Sequence, residues 1–228
     1  MPWRGGYEVW HEPPPLRTKL QDGTQLRVSF YHAITVHQGQ VMICPSEPKT
    51  LDLLRDQMVR MHKAFAAKAY FLSHDEIRVL NQDQACLDRH LDAGAILADN
   101  IRACTAIARQ VAPKAELYVW SDMFDPHHNA TKDYYLVRGN LAGSWLGLDK
   151  DVIIAAWYFD KRHDSLPFFA PRGHRLLLAG YYDGKPEQVL EWLDAARVVG
   201  GAKAVMYTTW QSRYGDLERF AELVKGWR

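Results

Sequence analysis

No apolar run in the chain approaches the ~20 residues of a membrane-spanning helix, so a membrane partner is not expected. The opening, MPWRGGYEVW, lacks the apolar stretch of a secretory signal. Charge of one sign is also missing. The formal net charge is +1, and Lys and Arg are scattered rather than gathered into a stripe that would neutralise a phosphate backbone. Nucleic acid is therefore not an expected partner. No glycine-rich phosphate loop follows any apolar run, which disfavours a dinucleotide-binding fold. Cysteine is scarce. Cys44, Cys86 and Cys104 are odd in number and lack metal-ligand spacing, so they read as reduced, small apolar residues. That usage leans toward the cytoplasm but leaves the compartment open, and no metal or cofactor is implied.

What the chain does have is aromatic side chains: eight Trp and eleven Tyr in 228 residues, several at the ends of apolar runs. From residue 26 onward strand and helix patterns alternate. The predicted strands are 26–36, 69–74, 115–123, 152–159, 175–182 and 203–210. Between them, Ser46 reads as the N-cap of a helix with Pro48 in its first turn and a stripe of Leu51, Leu54, Met58, Met61 and Phe65. A second helix spans about 92–111 and carries Cys104 in its apolar stripe. The stretch 124–147 reads as a loop with a short ribbon. A Pro-containing connection with little helical period follows the fourth strand. The next helix opens at Pro186 and ends on Gly200-Gly201, and a last one carries Leu217, Phe220, Val224 and Trp227.

Near-continuous apolar strands alternating with amphipathic helices predict an α/β fold whose parallel sheet is covered by helices. Polar and aromatic residues recur at the carboxyl end of each strand: Tyr31-His32, His74-Asp75-Glu76, Trp120-Ser121-Asp122, Trp157-Tyr158, Tyr181-Tyr182-Asp183 and Trp210. Site residues drawn from many strand ends point to a (β/α)8 TIM-barrel mouth rather than the single switch point of a doubly wound sheet. Only six βα units are found, and residues 1–25 read as an irregular arm or hairpin. The expectation is a partial barrel over 26–228 with the first two units missing. Its open strand edges would be completed by an N-terminal segment or by self-association.

The stretch 70-YFLSHDEIRV-79 ends a buried strand on a histidine and two carboxylates. Asp75 and Glu76 cannot both face one way on a regular strand, but both reach the mouth if the backbone turns there. Adjacent carboxylates in unlike surroundings can divide the roles of acid and anion. Beside aromatic rings such a pair suits a sugar, whose C–H faces lie on the rings while its hydroxyls bond the acids.

In that order, Asp75-Glu76, Trp120 with Asp122, Trp157, Tyr181-x-Asp183 and Trp210 resemble the strand-end motifs of the family 20 glycoside hydrolases, the β-N-acetylhexosaminidases. Residues 26–210 would match the later part of their catalytic barrel, with Val28–Ile34 as its third strand. One departure is plain: where that family has His-x-Gly-Gly-Asp-Glu, this chain has Phe71-Leu72-Ser73-His74-Asp75-Glu76, without either glycine.

The resemblance implies a retaining, substrate-assisted glycosidase acting on N-acetylhexosaminides. Glu76 would be the general acid, with its proton held by an apolar mouth. Asp75 would orient the 2-acetamido N–H, and Tyr181 would donate to the acetamide oxygen; spacing alone does not separate Tyr181 from Tyr182. Trp120, Trp157 and Trp210 would box the acetamido methyl. Asp122 and Asp183 would bind sugar hydroxyls or tune the pair, and His32 and His74 would contact substrate or hold a carboxylate. A buried histidine satisfied by the backbone remains the alternative for each. His127 and His128 read as surface residues, and Arg78 as an ion-pair partner. Two other readings stay open: a metal-dependent barrel enzyme using His32, His74, Asp75, Glu76 and Asp122, and a non-catalytic carbohydrate-binding fragment.

Overall fold

In the computed structural model, which describes residues 17–27 and 42–227, five of the predicted strands form one parallel sheet. They are β1 (Ala69–Phe71), β3 (Glu116–Trp120), β5 (Ile153–Ala156), β6 (Leu176–Leu178) and β7 (Ala202–Val205). They neighbour one another in chain order, β1-β3-β5-β6-β7, and each pair is parallel. Strands laid down one after another in a single direction are the wall of a (β/α) barrel, here as an open arc with β1 and β7 outermost among the described residues. The first predicted strand, including Tyr31, His32 and Val28–Ile34, lies outside the described residues except at its start, as do residues 1–16 of the arm.

Alternation along each strand separates two cores. Leu117, Val119, Ile154, Ala156, Leu176 and Leu178 point outward into the large cluster beneath the helices. Ile153, Ala155, Leu177 and Ala179 point inward, packed with Tyr118, Trp120, Trp157 and Met206. Burying each of the large outward side chains stabilises the fold by roughly 1.5–3 kcal/mol. The covering helices are α1 (Pro48–Phe65), α3 (Ala93–Val111), α4 (Arg162–Phe169), α5 (Gln188–Val199) and α6 (Leu217–Val224). A short α2 (Gln84–Leu87) follows β2 (Val79–Leu80), which pairs in parallel with β4 (Leu136–Val137) as the ribbon of the long loop.

Three local expectations need correction. Glu47, not Ser46, is the N-cap of α1, and its side chain makes no capping bond. The Ser46 hydroxyl instead accepts from Cys86 Sγ and Arg89. The stripe of α1 is only partly used: Met58 is buried, whereas Met61 and Phe65 are exposed. The connection after β5 does hold a helix, α4, despite Pro167 inside it. With only Ser165, Leu166 and Phe169 buried, its pattern is too short to reveal a helical period.

No α-helix crosses from β3 to β5. The loop that replaces it lies directly on α3. A Cβ on Gly94 would sit 2.2 Å from the Ala142 carbonyl oxygen, and one on Gly147 2.2 Å from that of Ala98. Only glycine admits such close backbone approach. The buried Ser144 hydroxyl donates to the Met123 carbonyl at 2.7 Å, fixing the loop against the end of β3. The turn carrying Asp122 is thereby held beneath the mouth.

Candidate functional site

The parallel hydrogen bonding continues past the regular strands to the mouth. The Leu72 N–H donates to the Tyr118 carbonyl, and the Trp120 N–H to that of Ser73. The Ser121 N–H bonds Ala155, and the Tyr182 N–H bonds Thr208. Beyond Ser73 the chain turns through left-handed backbone: φ is +56° at Ser73, +62° at His74 and +44° at Glu76. Each such non-glycine residue costs of order 1–3 kcal/mol. The first two occupy the places where the resembled motif has its two glycines. The turn departs from strand alternation, so Asp75 and Glu76 face the same hollow.

That hollow has a volume of about 160 Å³ and is lined by Asp75, Glu76, Trp120, Trp157 and Trp210. Three indoles from three strand ends thus meet the carboxylate pair. The volume is below the ~300–1,000 Å³ of ordinary ligand pockets, which suits one small group rather than an extended molecule.

Asp122 explains how two of these walls are held. It is completely buried at the end of β3. Its Oδ2 accepts the Glu76 backbone N–H at 2.9 Å and the Asn129 amide at 2.9 Å, and its Oδ1 accepts the Trp157 indole N–H at 3.2 Å. Burial pushes its carboxyl up to about 6, against the pull of those donors. Asp122 therefore positions the pair and one indole, and it has no exposed oxygen for a sugar hydroxyl.

Asp183 plays the corresponding part at the other side. It is buried, and its carboxylate accepts from the Thr209 hydroxyl and from the backbone N–H groups of Trp210 at 2.7 Å and Gln211 at 3.0 Å. Burial alone would raise its pKa, but these donors outweigh it and hold the carboxyl at about 2. Of the two roles expected for these acids, Asp122 takes that of holding the pair, through the Glu76 N–H, and Asp183 orders the turn that carries Trp210.

The two tyrosines separate cleanly. Tyr182 is buried in the core, stacked on Tyr207 and tilted against Phe220. Tyr181 is at the surface of the mouth, its ring 5.1 Å from that of Trp210 and its hydroxyl accepting from Gln211 at 3.0 Å.

His74 does not line the hollow of Glu76. Its Nδ1 bonds the Leu72 carbonyl at 2.6 Å and its Nε2 lies 3.1 Å from Asn100 Oδ1. Burial lowers its pKa and favours the neutral ring. A ring protonated at Nδ1 leaves Nε2 as an acceptor, which the Asn100 amide satisfies when its NH₂ is turned to the ring. Both nitrogens are spent on the fold, and the substrate-contact expectation gives way to the alternative of a satisfied histidine. His32 lies outside the described residues.

Glu76 is not in the apolar setting expected for it. Its carboxylate is half-exposed and forms an ion pair with Arg78 at 2.6 Å, whose guanidinium lies 5.4 Å over the Tyr135 ring. His127 is exposed as expected, but His128 is half-buried. Its ring lies 4.6 Å from Trp157 and 4.3 Å from Tyr158, and burial pushes it down to about 4. Sequence reasoning missed His128 and Asn129 as supports of the site. Their one signal was proximity to Asp122 in the loop.

The metal-enzyme alternative needs His32, which lies outside the described residues, and His74, Asp75, Glu76 and Asp122 to converge on one ion. Among the described residues the group of His, Cys, Asp or Glu ligand atoms close enough to share an ion is a different one: Cys44, Asp83 and Cys86.

No protein-family model and no curated protein matches the chain. Among solved structures it is similar to endo-glycoceramidase II from Rhodococcus sp. With that protein's ganglioside GM3 complex the TM-score is 0.42 at 15% identity, covering 71% of this chain and 40% of the other. With its cellobiose-like imidazole complex the TM-score is 0.40 at 13% identity, covering 71% and 41%. The chain spans about two fifths of the length of these structures.

Proposed function

We propose that the hollow at the barrel mouth binds and cleaves a glycoside, with an N-acetylhexosaminide as substrate and a substrate-assisted, retaining reaction. The observation that carries this reading is the meeting of Asp75 and Glu76 with the indoles of Trp120, Trp157 and Trp210 around one small cavity. Flat aromatic walls accept the C–H faces of a sugar or its acetamido methyl, and the carboxylates supply polar partners. In this mechanism Glu76 gives its proton to the leaving glycosidic oxygen as that bond breaks. The acetamide oxygen of the substrate attacks the anomeric carbon from the opposite face. Asp75 accepts the acetamido N–H and stabilises the positive charge that grows there, while the Tyr181 hydroxyl donates to the acetamide oxygen. Water then opens the cyclic intermediate, with Glu76 taking a proton from it.

A series of chromogenic N-acetylglucosaminides fluorinated stepwise on the acetyl group tests this. If the acetamide oxygen is the nucleophile, each fluorine weakens it and kcat/KM falls steeply along the series. A flat series would assign the attack to another group.

The Glu76–Arg78 ion pair favours a second reading, carbohydrate binding without cleavage, because the carboxylate is engaged by a guanidinium rather than turned to a glycosidic oxygen. Tryptophan fluorescence that changes on adding N-acetylglucosamine, with no turnover of any member of the series, would favour that reading.

A further inference from the structure

We propose that Cys44, Asp83 and Cys86 form a structural site for a zinc-class divalent cation, one that shares no residue with the hollow at the mouth. The two thiols are 42 residues apart in sequence, yet their sulfurs lie 3.6 Å from each other. A disulfide would bring them to ~2.05 Å. Two thiolates on one tetrahedral zinc, each at ~2.3 Å from the metal, stand about 3.8 Å apart. The observed separation is thus close to that of two corners of a metal tetrahedron. Asp83 supplies the third corner. Its Oδ1 is 3.0 Å from Cys44 Sγ, and all three ligand atoms lie within 4.8 Å of one another.

The acid is already oriented. Asp83 is the N-cap of α2, and its Oδ1 accepts the Cys86 backbone N–H at 3.1 Å, a bond that fixes the carboxylate in the way supporting contacts fix metal ligands. Two soft sulfurs with one carboxylate select zinc over magnesium or calcium. The Ser46 hydroxyl, 3.2 Å from Cys86 Sγ, or a water takes the fourth corner. Arg89 reaches that same hydroxyl at 3.4 Å, placing a positive charge beside a centre whose net charge would be −1. On binding, each thiol releases its proton to solvent and no electron moves. The ion would tie residues 42–47, which lead into α1, to α2, two elements joined by no regular hydrogen-bond ladder.

Cobalt(II) titration of the reduced chain tests the site. The expected result is one equivalent per chain, with thiolate-to-cobalt charge-transfer absorption and the visible bands of a tetrahedral ion. Both should vanish in Cys44→Ser and persist in Cys104→Ser, and zinc should raise the Tm of the wild type but not of Cys44→Ser. Cys86 is fully buried, so Cys86→Ser risks misfolding, and the half-buried Cys44 decides the question. Sub-stoichiometric binding, a cobalt spectrum without thiolate bands, or binding unchanged in Cys44→Ser would overturn the proposal.

Discussion

The backbone N–H of Glu76 is held by the buried carboxylate of Asp122 at 2.9 Å, which ties the tip of one strand end to the base of the next. The same carboxylate holds the Trp157 indole. A single acid thus sets the distance between the expected proton donor and one wall of its hollow, without touching the hollow itself.

A pH-dependence follows from that burial. Asp122 has a carboxyl raised from 3.8 to about 6 in the fold, so the unfolded chain gives up this proton first. Its contribution to stability is therefore full below about pH 4 and is lost as pH rises to about 6, by on the order of 3 kcal/mol. His128 works in the opposite sense. Lowered from 6.5 to about 4, it adds stability as pH rises through the same window. Asp122→Asn should remove the falling component, so the difference between wild-type and variant unfolding free energies slopes across pH 4–6. Chemical denaturation at several pH values measures it; a flat difference would contradict the burial argument.

Trp210 and Trp157 should respond differently to substitution. Trp210 is 63% exposed, so Trp210→Ala should change stability by no more than about 0.5 kcal/mol. Sugar affinity should nevertheless weaken about two- to tenfold, the worth of one ring contact. Trp157→Phe leaves Asp122 Oδ1 buried without its donor and should cost about 1–3 kcal/mol of stability. Thermal melts alongside binding titrations separate the two effects.

The left-handed turn before the pair predicts an unusual gain from glycine. Ser73→Gly should be more stable than Ser73→Ala by about 1 kcal/mol, because only glycine occupies φ +56° without a Cβ clash. Equal melting temperatures for the two variants would mean that the turn is not strained.

The loop lying on α3 predicts a matched pair of glycine substitutions. A Cβ at Gly147 meets backbone atoms of Ala98 at 2.2 and 2.5 Å, neither of which can rotate away. Gly147→Ala should cost about 1–3 kcal/mol or more. Gly215→Ala, with nothing within 4 Å, should be nearly neutral.

Much of this architecture was legible because parallel strands buried on both faces read as apolar runs, and the residues just past them mark the mouth. The order of Asp75-Glu76, Trp120, Trp157 and Trp210 along the chain therefore became their order around the arc. Which of their two expected roles Asp122 and Asp183 take was not legible. Whether an acid at a strand end faces solvent or the fold depends on where the backbone leaves the ladder, and the hydrogen bonds that decide it come from distant turns. The pairing of Cys44 with Cys86 was hidden for the same reason: no local spacing reports a contact made by tertiary packing. Helix α4 escaped notice because Pro167 and a two-residue apolar stripe mask its period.

The most direct test of the proposed chemistry is the rate at which wild type and Glu76→Gln hydrolyse a chromogenic N-acetylglucosaminide, measured with N-acetylglucosamine binding to both. The account predicts that the variant binds like wild type while kcat falls by roughly 10²–10⁴-fold, the contribution of a positioned proton donor. Turnover that is equal in the two proteins would contradict it.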